Sequence, residues 1–130
     1  MAVGRDYLDY VLEQLSALSQ LRARRMFGGV GLYSDEVFFA IITGDTVYLR
    51  VDDLSRADFV TRGMTAFRPY AQRPEVSMSY FEVPADVLED AGTFVAWSRR
   101  AVAAALAAAN RPVRRKPRAA RARTTLRKPR

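Results

Sequence analysis

Three adjacent carboxylate pairs, Asp35-Glu36, Asp52-Asp53 and Glu89-Asp90, are the side chains best suited to chemistry in this sequence. Paired oxygens of this kind hold hard cations such as Mg²⁺ and Ca²⁺, and two acids can divide general acid and general base work. No Asp-x-Asp-x-Asp spacing accompanies them. Each pair also falls at an expected turn or helix end, where Asp and Glu act as turn formers, caps or solvated charges. Composition removes most other chemistry. The chain has no cysteine and no histidine, which excludes disulfides, thiol nucleophiles, zinc fingers, iron–sulfur clusters, the Ser-His-Asp triad and imidazole bases. The expected cofactors and metals are none, and no catalytic residue is assigned.

A glycine cluster, Met26-Phe27-Gly28-Gly29-Val30-Gly31, invites comparison with phosphate-binding loops. A dinucleotide fingerprint needs Gly-x-Gly-x-x-Gly between a strand and a helix, with helix N–H groups facing the pyrophosphate. Here Ser34 stands where the third glycine belongs, and the following element is a strand. The glycines are therefore expected to let a strand twist, bulge or pass close beneath another element.

Charge is concentrated at one end. Residues 1–109 carry eleven Arg against fourteen Asp and Glu, a balance of −3, whereas residues 110–130 carry ten cations and no acid, which gives the chain its +7. The ten are Arg111, Arg114, Arg115, Lys116, Arg118, Arg121, Arg123, Arg127, Lys128 and Arg130. Interspersed with prolines and with one large apolar residue, Leu126, this tail cannot bury a core and is expected to be disordered when free. Its Arg-Lys-Pro-Arg tetrapeptide occurs at 115–118 and again at 127–130. Arg forks suit phosphate oxygens, so the tail is expected to bind DNA or RNA through counterion release, without sequence preference. It has no apolar anchor for a membrane, and a neutral solubilising role is its alternative.

The elements that must position these groups follow from periodicity. Arg5–Ser19 reads as an amphipathic helix, with Leu8, Val11, Leu12, Leu15 and Leu18 at three- and four-residue steps. Met26–Tyr33, Val37–Ile42 and Val47–Val51 read as strands joined by Ser34-Asp35-Glu36 and Thr43-Gly44-Asp45 turns. Arg22, Arg24 and Arg25 form a small basic group where the first strand begins, read as a polar link. Asp52-Asp53 caps a short helix that runs to about Arg62 and is closed by Gly63. Ala66–Tyr70 and Val76–Val83 read as a second pair of strands. Pro84 ends the last strand, and a final helix with Val87, Leu88, Ala91, Phe94, Val95, Val102 and Leu106 on one stripe and an irregularity at Gly92 stops at Asn110. The order α-β-β-β-α-β-β-α implies an α+β, two-layer domain over residues 1–109, an antiparallel sheet with helices against one face. Aromatic residues, among them Phe27, Tyr33, Phe38, Phe39, Tyr48, Phe67, Tyr70, Tyr80, Phe81 and Trp97, alternate with Arg25, Arg50 and Arg68 along these strands. They would supply either a core or a stacking surface for single-stranded nucleic acid.

The stretch Arg24-Arg25-Met26-Phe27-Gly28-Gly29-Val30-Gly31-Leu32-Tyr33 resembles the signature of the TfoX (Sxy) N-terminal domain family. Phe38-Phe39-Ala40, Tyr48–Asp52, Phe59 with Gly63-Met64 and Phe67, Met78-Ser79-Tyr80 with Val83-Pro84, and Trp97 match that family in order. The resemblance covers about residues 5–109 and implies a small fold of the secretion-chaperone-like kind. It also implies association with bacterial regulators of DNA-uptake competence, which act with the cyclic-AMP receptor protein at promoters. Full-length competence regulators of the family carry a second domain after the first, where this chain has its basic tail.

The sequence therefore predicts a soluble, cytoplasmic and non-enzymatic domain that binds a protein partner or itself, with a tail that adds weak nucleic-acid affinity. The alternative is a small ligand-binding or carboxylate-based enzyme domain with a neutral tail. The N-terminus turns polar at once, and the longest apolar run, Ala101–Ala109, is far short of the roughly 20 residues that span a bilayer.

Overall fold

A computed structural model describes residues 3–26, 28–68 and 79–110. The expected tail residues 111–130, with all ten candidate cations, and Phe27 lie outside the described residues. The elements, in chain order, are α1 (Arg5–Gln14), β1 (Leu21–Met26), β2 (Gly29–Ser34), β3 (Val37–Thr43), β4 (Thr46–Arg50), α2 (Asp53–Thr61), β5 (Tyr80–Glu82), α3 (Ala85–Glu89) and α4 (Ala91–Asn110). All five strands form one antiparallel meander in sequence order. The α+β class is as expected, and the element order is corrected to α-β-β-β-β-α-β-α-α.

The added strand is β1. Its outward residues Arg22, Ala23, Arg24 and Arg25 are exposed on both sides, so no apolar alternation marks it in the sequence. What reads as one strand over residues 26–33 is the close of β1, a tight turn and most of β2. Gly28 takes φ +78° in that turn, a backbone region that favours glycine. Helix α1 is correspondingly shorter than the apolar period suggests. Leu18 is buried, but by a turn rather than by a helix. The chain reverses through Gln20 at φ 50°, held where Ser34 Oγ donates to the Ser19 carbonyl at 2.7 Å and Ser19 Oγ to Asp35 at 2.8 Å.

The β2–β3 turn is Asp35-Glu36, both at positive φ, the two-residue geometry that matches the strands' twist. Helix α2 starts on a reciprocal cap, as the Asp52-Asp53 sequence predicts. The Ser55 N–H donates to Asp52 Oδ1 at 2.8 Å and the Asp52 N–H to Ser55 Oγ at 3.0 Å. The expected second strand pair is reduced, among the described residues, to β5 and a single bridge between Ala66 and Phe81. The rest of that expectation, residues 69–78, lies outside the described residues.

The last helix breaks at Asp90 (φ −107°, ψ 104°) and not at Gly92. The Asp90 carboxylate takes the Thr93 N–H at 3.1 Å and also the Thr93 hydroxyl, which caps the new helix. Gly92 lies within α4.

Alternation assigns the core. Val30, Leu32, Ala40, Ile42, Val47 and Leu49 are buried on one sheet face. In the same core cluster are Phe94 and Val95 of α4, Val11 of α1 with Leu15 at its C-cap, and Phe59 of α2. Phe59 meets Trp97 edge-on at 5.0 Å between centroids. Arg62 and Arg100 lie over the Trp97 ring at 5.3 and 6.0 Å and reach Asp86 and Asp58 at 3.0 and 2.7 Å, so one indole ties α2 to α4.

The Tyr7 hydroxyl on α1 is buried and finds no hydrogen-bond partner among the described residues. Burial, then the Asp45 carboxylate, push this phenol up to about 12. The neutral form is thus favoured by the fold, and the associated stability, complete below the ordinary value of 10.0, is lost as pH rises toward 12. Tyr7→Phe removes an unsatisfied hydroxyl and should leave the midpoint of thermal unfolding at pH 7 unchanged or raised. An alkaline absorbance titration should then lack one late-ionising phenol of the chain's six. A fall in stability at pH 7 would show that the hydroxyl is hydrogen-bonded.

Candidate functional site

The face of the sheet opposite the helices carries residues of a different kind. Cross-strand pairing places Arg22 opposite Tyr33, Tyr33 opposite Phe38 and Arg50 opposite Tyr80. Their rings and guanidinium groups form a continuous ladder. Arg22 lies 5.8 Å from the Tyr33 centroid, Tyr33 is 5.2 Å from Phe38, Phe38 is 5.8 Å from Tyr80, and Arg50 lies 5.7 Å over Tyr80. The chain of contacts runs from Arg22 on edge strand β1 through Tyr33 and Phe38 to Tyr80 on β5, with Arg50 of β4 over the Tyr80 ring. Farther along, Tyr48 packs against Phe67 with ring centroids 5.1 Å apart and the rings tilted by 55°.

Two local devices place Phe38 there. Ala40 and Ile42 face the core, so strict alternation would send Phe38 inward as well. The register shifts at Leu32/Tyr33, and Phe38 rather than Phe39 pairs with Tyr33. This bulge leaves Phe39 buried in the core and turns Phe38 to the open face. The second device is Gly31. A Cβ at that position would lie 2.8 Å from both Met26 Cε and Phe38 Cε1, so the missing side chain is the space in which those two side chains close over β2.

Gly29 is tighter still, since its Cβ would stand 2.6 Å from the Ile42 carbonyl oxygen. Within the glycine cluster Met26 pairs with Gly29, Gly28 takes a positive φ, and Val30 is buried.

At the end of the ladder, where β3 begins and β4 ends, the last turns of α4 pass Phe38, Arg50 and Tyr80. They leave a cavity of about 470 Å³, lined also by Val37, Leu106 and Ala109. Tyr80 is only 3% exposed; burial raises its phenol pKa, with the Arg50 guanidinium pulling the other way. The Arg50 Nε is buried without a hydrogen-bond partner among the described residues. Burial likewise raises Tyr48, helped by the Glu82 carboxylate.

The carboxylate pairs do not converge. Glu36 binds Arg22 at 2.9 Å, Asp53 binds Arg56 at 3.1 Å, and Asp52 and Asp90 are spent on helix caps. Their caps hold the Asp52 and Asp90 carboxyls below the usual range, and Arg62 does the same to Asp86. Among the described residues no group of three acids is placed to hold a metal ion.

Of the aromatic and arginine residues picked out by the sequence, Tyr33, Phe38, Tyr48, Arg50 and Tyr80 share the open face. Phe39, Phe81 and Trp97 belong to the core side, and Arg25 lies on that side at the edge. Arg68 is exposed outside any strand, and Phe27 and Tyr70 lie outside the described residues. The cation that sequence reasoning missed is Arg22, read as part of a link. Its pairing partner Tyr33, an aromatic three residues after Val30, is the signal that would have found it.

Comparison with known proteins bears on this arrangement. The model of the TfoX N-terminal domain family matches residues 13–105. The chain belongs to this family. Residues of its sequence are also similar to the DNA transformation protein TfoX1 of Aliivibrio fischeri (strain ATCC 700601 / ES114), at 30% identity over 66 residues. The match covers 51% of this chain and 32% of that relative, so the matched segment spans about a third of the relative's length. The ladder residues, the glycine cluster and all five strands lie within the family match.

Gly29→Ala and Gly31→Ala separate the two close approaches. The first sets a methyl group against backbone and should destabilise by about 2–3 kcal/mol. The second meets the mobile end of Met26 and should cost about 1 kcal/mol, restored in part by Met26→Ala. Urea unfolding checks both, and equal costs would mean that Phe38 rather than Met26 sets the limit at Gly31.

Proposed function

We propose that the protein is a regulatory contact module in the control of DNA transformation, acting in the cytoplasm through its surfaces and without a catalytic role. Its basic tail adds weak, sequence-independent nucleic-acid affinity. The observation that carries this reading is the ladder Arg22–Tyr33–Phe38–Tyr80–Arg50 on the sheet face away from the helices. Aromatic and arginine side chains held rigid by a sheet bury much area at little entropic cost, which is why such residues dominate protein interfaces. Family membership supports the regulatory part, and the name of the Aliivibrio relative supports the process. Charge supports the tail: a body at −3 gives nucleic acid no reason to bind, and a segment at +10 does.

A photo-crosslinking residue in place of Tyr33, introduced in the native cell, should yield an adduct with another protein. The same residue in place of Leu54, which is 84% exposed on α2, should not. Adducts from both positions alike, or from Leu54 alone, would remove the ladder from the interface.

The tail is tested separately in the full-length chain, with its ten cations replaced by glutamine. If about six phosphates are engaged, duplex DNA affinity of the unaltered chain should fall about a thousandfold between about 50 and 200 mM salt. The substituted chain should bind weakly at both. Binding that survives the substitution, or that ignores salt, would assign nucleic acid to the body.

A further inference from the structure

Strand β1 is an edge, and among the described residues no other strand pairs with its outer side. It lies against β2 over six residues without a bulge, from Leu21↔Ser34 to Met26↔Gly29. Met26 and Gly29 are the last pair before the chain reverses, and in a tight hairpin that closing pair is hydrogen-bonded. Alternation along an antiparallel ladder then bonds Arg24 to Gly31 and Arg22 to Tyr33. The N–H and C=O groups of Leu21, Ala23 and Arg25 consequently point away from the sheet, a template for one more strand.

The side chains on this template are basic. Arg22 and Arg24 stand on the open face and Arg25 on the other. Arg22 is paired with Glu36 at 2.9 Å and Arg25 donates to the Val3 carbonyl at 3.2 Å, while Arg24 has no ion pair among the described residues. Arginine at an edge acts against self-association. Two copies of β1 paired antiparallel about Ala23 would set Arg22 opposite Arg24 of the second copy, twice over, and like charges directly opposite are destabilising. The same arrangement favours an incoming strand whose adjacent acidic residues fall on the two faces, one opposite Arg24 and the next opposite Arg25.

We propose that the outer edge of β1 takes an acidic, extended segment of a partner protein as an added strand. Main-chain hydrogen bonds to Leu21, Ala23 and Arg25 supply affinity, and Arg24 and Arg25 select for acidic residues. The inference rests on the reading of the domain as a contact module and names one partner chemistry for it.

The test uses the full-length chain with its tail cations changed to glutamine, so that the tail does not itself capture acidic peptide. The probe is a short capped peptide of threonine and valine with two adjacent glutamates at its centre. It is followed by fluorescence polarisation beside a counterpart with lysines at those positions. The glutamate peptide should bind and the lysine peptide should not. Ala23→Pro removes one outward N–H and leaves the β1–β2 ladder intact, so it should weaken binding at least about tenfold while the thermal midpoint holds. Arg24→Glu should weaken binding on the order of tenfold, and Arg24→Glu with Arg25→Glu should transfer preference to the lysine peptide.

Binding unchanged by Ala23→Pro but lost on charge reversal would overturn strand addition in favour of bare charge attraction. Displacement of the peptide by a short single-stranded DNA would overturn a protein partner in favour of nucleic acid. A concentration-dependent dimer abolished by Ala23→Pro would put a second copy on the edge instead. If no peptide binds while the Tyr33 crosslink persists, the edge proposal fails and the contact module stands.

Discussion

The close approach of β2 to its neighbours is the constraint on which the rest of this structure depends. At Gly29 a Cβ would stand 2.6 Å from a backbone oxygen of β3, and at Gly31 it would occupy the volume filled by Met26 and Phe38. Backbone cannot yield as a side chain can, so Gly29 holds β2 and β3 at their spacing. Gly31 lets an aromatic ring lie over a strand. From that ring the ladder extends in both directions, to Tyr33 and Arg22 on one side and to Tyr80 and Arg50 on the other.

A one-sided helical layer gives the ladder its meaning. The helices bury the apolar face of the sheet, and Trp97, gripped by Phe59, Arg62 and Arg100, ties α2 to α4 on that side. Among the described residues the opposite face carries the half-buried Tyr33, Phe38 and Tyr48 and the buried Tyr80, with Arg22 and Arg50 against the first and last of the ladder's rings. Arg22 belongs both to this face and to the free edge, so the ladder and the edge of β1 meet at one residue. The ion pairs, by contrast, are exposed and contribute little to stability; their role is to commit carboxylates, so that the acids sit on arginines and helix caps rather than on one another.

Much of this was legible in the residues. Asp52-Asp53 predicts the cap of α2, and the Thr43-Gly44-Asp45 and Ser34-Asp35-Glu36 turns predict two hairpins, because those residues have local conformational preferences that tertiary contacts did not override. The alternation of Val47, Tyr48, Leu49 and Arg50 assigns β4 and its faces correctly. Strand β1 was not legible. An edge strand exposed on both sides has no buried face to impose a period, and Leu-Arg-Ala-Arg-Arg-Met reads as a link. Leu18 misled in the opposite sense: its burial continues a helical period, yet a turn accomplishes it. At Asp90 a capping side chain outweighed the nearby glycine as the site of the break.

By itself the sequence determined the α+β class, the lack of thiol and imidazole side chains, and the concentration of basic charge in residues 110–130. These follow from composition and from interactions within a few residues. Only the tertiary structure decided which aromatics share a face. That choice turns on a single register shift between β2 and β3, and a one-residue shift sends a side chain to the other side of the sheet. Local propensity is the same for Phe38 and Phe39; the pairing with Tyr33 and the space above Gly31 distinguish them, and neither exists until the strands meet.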